Sequence, residues 1–302
     1  MIDHVRIIFQ GNVSSNLKSL INRLRRKRFA RNWELNYSVP QNQKNDFIRS
    51  VTMGTLDFPV KNDNVNILLC AQPKSASLYM VQLLSLSLKL TNHQIGFNKA
   101  GGSIYYPRLL TSKFTGNNTI SHCHTEPNRN VLQMISTLDL RPLVLTRNLL
   151  DALVSRRDML IRDKRASNIL SELAIQRFIT GSEEYQMDVI IDLFASNYIN
   201  FFSGWDQYRQ DRNIKPIYIT YEQLVNDEMS LVQRVACEFN IRISNNRIRA
   251  VSAKIAKAGG INYSTGLIGR GRQFITKRQI KHLRQKAEML GCNNEDFLGF
   301  RI

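Results

Sequence analysis

Within the stretch "CAQPKSASLY" three side chains can hold an anion: Lys74 brings a positive charge, and Ser75 and Ser77 bring hydroxyl donors. The stretch lies where an apolar strand pattern, 66–71 "NILLCA", hands over to an apolar helical pattern, "SLYMVQLL". A helix starting there leaves unpaired N–H groups and a partial positive charge, which suit phosphate or sulfate. The same logic recurs at "PLVLTRNLLDALVS", a strand pattern over 142–146 with Arg147 at its end. The helix that follows can be capped by Asn148 and places Ser155 two turns on. A guanidinium at a strand end and a hydroxyl on the next helix can share one phosphate. The competing readings are a serine-capped helix start with an exposed lysine, and a surface ion pair between Arg147 and Asp151.

The nucleotide-triphosphate loop G-x-x-x-x-G-K-[ST] needs glycines so that the backbone can wrap the phosphates. "CAQPKSAS" has none, which disfavours a standard ATP or GTP site. Two anion sites at two strand ends, with no evident Mg²⁺-binding Asp motif, point to a nucleotide phosphorylated at two separate positions.

At these residues the chain resembles the sulfotransferases that use 3′-phosphoadenosine 5′-phosphosulfate (PAPS). Their loop Pro-Lys-Ser-Gly-Thr-Thr-Trp stands against Pro73-Lys74-Ser75-Ala76-Ser77-Leu78-Tyr79. Arg147 and Ser155 have the family's eight-residue spacing, with its common Asp between them as Asp151. "IYITYEQLVNDE" at 217–228 resembles the family's strand followed by Tyr-Glu-x-Leu, and "GLIGRGRQFIT" at 266–276 its Gly-x-x-Gly stretch. The resemblance spans residues 67 to about 285. It implies that Lys74 and Ser77, with the backbone of Ser75, Ala76 and Leu78, hold the 5′-phosphosulfate. It implies further that Arg147 and Ser155 hold the 3′-phosphate, that Tyr79 stacks on adenine and that Tyr221 contacts its edge. Gly266 would begin the covering loop, which continues through Arg270, Gly271 and Arg272. Three departures stand out: Ala76 for glycine, Leu78 for threonine, and Ser264 for an arginine that contacts the 3′-phosphate. Arg270 or Arg272 could replace that last contact.

Sulfuryl transfer is an in-line displacement in which the acceptor hydroxyl must lose its proton, so a base of near-neutral pKa is useful. "TISHCHTEPN", at the end of a strand between the two anion motifs, holds two of the five histidines. Where the family reads Lys-x-His followed closely by Pro, this chain has His122, His124 and Pro127. His124 is the expected base, with His122 or Glu126 as its competitors and Lys74 steadying the leaving phosphate. A metal site on the histidine pair is not expected, since no clustered His or Cys completes a ligand set.

Strand patterns at 66–71, 118–123, 142–146 and 216–220 must position these groups. Helical faces lie between and after them: Leu149, Leu150, Leu153, Val154, Leu160 and Ile161; Leu231, Val232, Val235, Ala236 and Phe239; and Ile280, Leu283, Ala287 and Leu290 behind a Thr276 cap. An aromatic stripe over 183–210 reads as core. The alternation predicts a three-layer, nucleotide-kinase-like α/β fold with a central, mainly parallel sheet and helices on both faces. Ligands in such folds bind beyond the carboxyl ends of the strands.

The 302 residues are 43% hydrophobic and 9% aromatic, which excludes global disorder. Residues 1–60 form a basic, partly helical-patterned extension able to contact anionic surfaces, and 61–302 the α/β domain. Forty-two basic against 24 acidic residues give +18, pointing to a polyanionic ligand or substrate. Four scattered cysteines read as buried free thiols of a reducing compartment. No apolar run reaches the ~18 residues of a membrane span, and no secretion signal opens the chain, so the expected location is cytoplasmic. The expected function is transfer of a sulfuryl group from PAPS to the hydroxyl (or amine) of an acceptor such as a carbohydrate or lipid, without metal. The alternatives are a diverged Mg-ATP phosphotransferase and a non-catalytic protein binding anions or nucleic acid on the same fold.

Overall fold

The computed structural model describes residues 65–92, 118–128, 140–163, 172–211, 213–258 and 267–300. It also describes Val131, Leu132 and Ile135 and the backbone of two short strands, Gly96–Lys99 and Gly102–Tyr105. The extension expected at 1–60 and the glycine at 266 lie outside them.

Five strands form one sheet: β1 (Asn66–Ala71), β2 (Thr91–Asn92), β5 (Thr119–Cys123), β6 (Arg141–Thr146) and β7 (Ile217–Thr220). Their order is β2-β5-β1-β6-β7, and every pairing is parallel. The short strands β3 (Gly96–Lys99) and β4 (Gly102–Tyr105) pair separately as an antiparallel hairpin.

β1 over Ile67–Ala71 and β6 over Pro142–Leu145 are apolar on both faces because helices cover both sides of the sheet. Ile67, Leu69 and Ala71 of β1 join Leu143, Leu145, Ile217 and Ile219 in a core with α1 (Ser77–Leu88). Two later helices bury side chains there as well: Leu231, Val232, Val235 and Ala236, and Ile248 and Ile255. The alternate residues Leu68, Cys70 and Val144 face Phe201 and Trp205 on the opposite side. There α2 (Leu149–Asp163) and α4 (Glu183–Asp206) lead a second core, shared with α3 (Glu172–Thr180). The sheet therefore sits between two helical layers, the expected three-layer arrangement.

After β7 the chain forms α5 (Tyr221–Asn226), α6 (Glu228–Glu238) and α7 (Asn245–Ala258), then α8 (Gly271–Phe274), α9 (Lys277–Met289) and α10 (Glu295–Leu298). Thr276 caps α9 as expected, in a reciprocal box with Gln279. One expectation fails: Cys237 is exposed, because Leu231, Val232, Val235 and Ala236 take the buried face of α6; the other three thiols are buried. No described helix is long and apolar enough to cross a membrane.

Register places the site. Cys70 of β1 pairs with Cys123 of β5, Ala71 with Leu145 of β6, and Thr146 with Thr220 of β7. Residues 72, 124, 147 and 221 therefore leave the sheet side by side at its carboxyl edge.

Candidate active site

The turn from β1 into α1 bends without glycine. Lys74 and Ala76 adopt left-handed backbone, with φ of 71° and 63°. The Ser75 hydroxyl donates to the Gln72 carbonyl at 2.6 Å, so this fully buried serine fixes the turn from inside. Ala76 is the N-cap of α1 and offers no capping oxygen, and the first turn contains no acidic residue. The helix start thus keeps a positive character suited to an anion. Ser77, its first residue, is buried, whereas Leu78 is mostly exposed. Tyr79 lies one residue on, its hydroxyl donating to Glu228 of α6.

Arg147 leaves β6 beside this turn and is buried. Its backbone N–H donates to Gln72 Oε1 at 3.0 Å, and its Nη1 donates to the Lys74 carbonyl at 3.0 Å. The guanidinium lies 3.9 Å from the centroid of the Tyr221 ring. Two buried donors in this cluster, Arg147 Nε and Gln72 Nε2, have no hydrogen-bond partner among the described residues. A buried donor without an acceptor costs about 1–3 kcal/mol, which an oxyanion would remove. Uncapped helix start, lysine, arginine and orphaned donors together fit a phosphorylated nucleotide.

Asp151 does not pair with Arg147. Its two carboxylate oxygens accept the backbone N–H groups of Gly269 (2.8 Å) and Gly271 (2.6 Å), tying the 267–271 segment to α2. A Cβ on Gly271 would stand 2.4 Å from the Leu150 carbonyl carbon, so only glycine permits this approach. Ser155 is buried two turns along α2. Both arginines proposed to complete the 3′-phosphate contact are engaged with protein. Arg270 bonds Asp158 at 2.5 Å, and Arg272 donates to the Gly299 carbonyl at 3.0 Å.

His124 leaves β5 half-buried, its Nδ1 2.6 Å from the Ala71 carbonyl. A carbonyl only accepts, so Nδ1 holds the proton and Nε2 carries the lone pair. Burial lowers the His124 pKa, the Ala71 bond pulls it back, and the positive charges of Arg156 and Lys74 lower it further. His122 meets the His124 ring edge-on at 4.7 Å. His122 Nε2 is buried without a partner among the described residues, and burial, then the neighbouring imidazole, holds the His122 pKa down at about 3. That imidazole stays neutral and is a poor proton acceptor. Glu126 is exposed, with its carboxyl pKa raised by partial burial. Among the described residues no three His, Cys, Asp or Glu side chains gather as a metal site.

Sequence reasoning missed Gln72, Arg156 and Trp205. Gln72 is a polar residue closing an apolar strand, and Arg156 follows Ser155 directly. Trp205, part of the aromatic stripe, donates its Nε1–H to the Thr125 carbonyl at 2.9 Å and so holds the segment after His124.

No protein-family model and no curated protein sequence matches the chain. Solved structures do. The fold is similar to that of mouse sulfotransferase SULT7A1 complexed with PAP, with TM-score 0.58 and 13% identity over 81% of this chain and 89% of that one. It is also similar to retinol dehydratase in complex with androsterone and the inactive cofactor PAP, with TM-score 0.53 and 12% identity over 78% and 82%. The expected architecture is met, and this chain has a sulfotransferase-like fold.

Proposed function

We propose that this protein transfers a sulfuryl group from PAPS to an acceptor hydroxyl, with His124 as the base. The observation that supports it most directly is the Arg147 cluster, where two buried donors lack acceptors among the described residues beside an uncapped helix start. In this reading Arg147, Ser155 and Gln72 bind the 3′-phosphate, while Lys74, Ser77 and the first N–H groups of α1 bind the 5′-phosphosulfate. Tyr79 and Tyr221 flank the adenine. Bound PAPS supplies the sulfuryl group: the acceptor oxygen–sulfur bond forms as the bond from sulfur to the 5′-phosphate oxygen breaks, giving a sulfate ester and PAP. His124 Nε2 receives the acceptor proton, and its Nδ1 bond to Ala71 keeps that nitrogen presented. Lys74 steadies the charge that develops on the phosphate oxygen; a fixed charge aimed in this way is typically worth about 10²–10³ in rate.

The test is thermal unfolding of the full chain with PAP, ADP or Mg-ATP at equal concentration. A ligand at 100 times its Kd stabilises by about 2.7 kcal/mol, a Tm shift of several degrees. A shift with PAP that Mg-ATP and ADP do not match supports the donor assignment. A shift with Mg-ATP alone replaces it with phosphoryl transfer, and no shift with any of the three removes it.

A further inference from the structure

Arg156 is the charged group of this site that the donor reading leaves without a task. It is half-buried on α2, one residue beyond Ser155. Its Nε donates to the Tyr198 hydroxyl at 3.0 Å, its guanidinium lies 4.7 Å from the centroid of Phe194, and its Nη1 is 4.0 Å from the Met159 sulfur. A phenol, a ring and a thioether are its contacts among the described residues; none is a carboxylate. Arg157 beside it, by contrast, pairs with Asp158 at 2.9 Å, as does Arg270 at 2.5 Å.

One helix face holds both Arg156 and the base segment. Tyr198 and Trp205 of α4 are seven residues apart, two turns on the same side, about 10 Å along the axis. Tyr198, fully buried, fixes Arg156; Trp205 fixes the Thr125 carbonyl next to His124. Pro127, three residues after His124, packs against Gly204 of the same helix. The guanidinium is thus held by a rigid phenol and ring on the same scaffold that positions the base, and its positive charge is felt at the His124 imidazole.

This arrangement has an electrostatic cost during transfer. When His124 takes a proton it becomes a third cation beside Lys74 and Arg156, in surroundings that already disfavour its charged form. The donor phosphate compensates Lys74. Arg156 has no compensating carboxylate among the described residues, and a guanidinium fork is suited to bidentate binding of a planar oxyanion.

We propose that Arg156 reads the acceptor: its guanidinium binds an anionic group, a carboxylate or sulfate, carried by the acceptor close to the hydroxyl that His124 deprotonates. This rests on the sulfuryl-transfer reading and narrows it to acidic acceptors. Arg156 is then a specificity-determining residue that binds substrate directly.

The test uses two probes that differ by one carboxylate, 4-nitrophenyl β-glucuronide and 4-nitrophenyl β-glucoside, titrated calorimetrically into the PAP-saturated full chain. Wild type is expected to bind the glucuronide about tenfold or more tightly than the glucoside, the range of a charge-assisted contact. In Arg156→Gln that ratio should fall to about one, with Arg156→Lys recovering part of it because a point charge replaces the fork. PAP affinity should stay within about twofold in both variants, because Arg156 shares no partner with the Arg147 cluster. Equal binding of the two sugars by wild type, binding of neither, or an unchanged ratio in Arg156→Gln overturns the proposal. If PAP itself fails to bind, the transfer reading fails, and the same titration without nucleotide still judges Arg156 by its ratio.

Discussion

The Arg147 guanidinium is sandwiched between the first loop of the site and the last strand end: it lies 3.9 Å from the centroid of the Tyr221 ring while its Nη1 donates to the Lys74 carbonyl. One side chain therefore locks β6, the β1–α1 turn and the start of α5 around the place where its unpartnered Nε sits. Arg147→Ala is expected to weaken PAP binding about 10- to 100-fold, the range for losing charged hydrogen bonds. Arg147→Lys should recover little, because an ammonium cannot stack on the ring and span both bonds. Titration calorimetry with PAP checks both variants; PAP affinity in Arg147→Ala equal to wild type would remove Arg147 from the site.

The turn at Ala76 stores strain. Its φ of 63° belongs to the left-handed region, where a Cβ costs about 1–2 kcal/mol. Ala76→Gly relieves that strain, offset by about 0.4–1 kcal/mol of added freedom in the unfolded chain. A net gain of up to about 1.6 kcal/mol in urea unfolding is expected, with PAP binding kept. Ala76→Val should be destabilising, since a β-branched residue tolerates this conformation least. Loss of stability in Ala76→Gly would show that the turn is not strained.

How far the sequence could be read follows from what each feature depends on. Strand ends and helix faces were legible because they rest on local apolar pattern; the strand expected over 66–71 is β1 residue for residue. The pairing of Arg147 with Gln72 and Tyr221 depends on the order and register of β1, β6 and β7, which no local pattern encodes. In the sequence Asp151 is legible as the family's residue between Arg147 and Ser155 and as a surface partner for Arg147 four residues away, and neither reading reveals its actual partners. That its acceptors are backbone N–H groups 118 and 120 residues away is a fact of tertiary structure. The fates of Arg270 and Arg272 were illegible for the same reason, since Asp158 and the Gly299 carbonyl reach them only in the folded chain.

Asp151 is the tether of the 267–271 segment. With the carboxylate removed, two backbone N–H groups lose their acceptors, and the buried one at Gly271 is costly. Asp151→Ala is expected to destabilise by about 2–4 kcal/mol, and Asp151→Asn by less because one acceptor oxygen remains. Gly271→Ala should rank with Asp151→Ala, since its Cβ meets the α2 backbone. Urea midpoints check the order; an Asp151→Ala protein as stable as wild type would mean that the segment is held by something else.

The two histidines should separate by pH. For a buried imidazole with its pKa held at about 3, the unfolded chain takes up a proton near pH 6.5 and the folded one does not. Stability from the neutral His122 is therefore complete above pH 6.5 and is lost as pH falls from there toward 3, at up to about 1.4 kcal/mol per pH unit. His122→Leu removes both this term and the unpartnered Nε2, so its stability should at least equal that of wild type near pH 7, and its margin over wild type should widen toward pH 5 in urea unfolding. For His124 the readout is activity. Its lowered pKa keeps it an unprotonated base at neutral pH, so the acid limb of kcat/KM is expected below pH 6.5. His124→Ala should cost about 10²–10⁴-fold in kcat and abolish that limb, while His122→Leu retains it. If His122→Leu abolishes the limb instead, the roles of the two imidazoles are reversed.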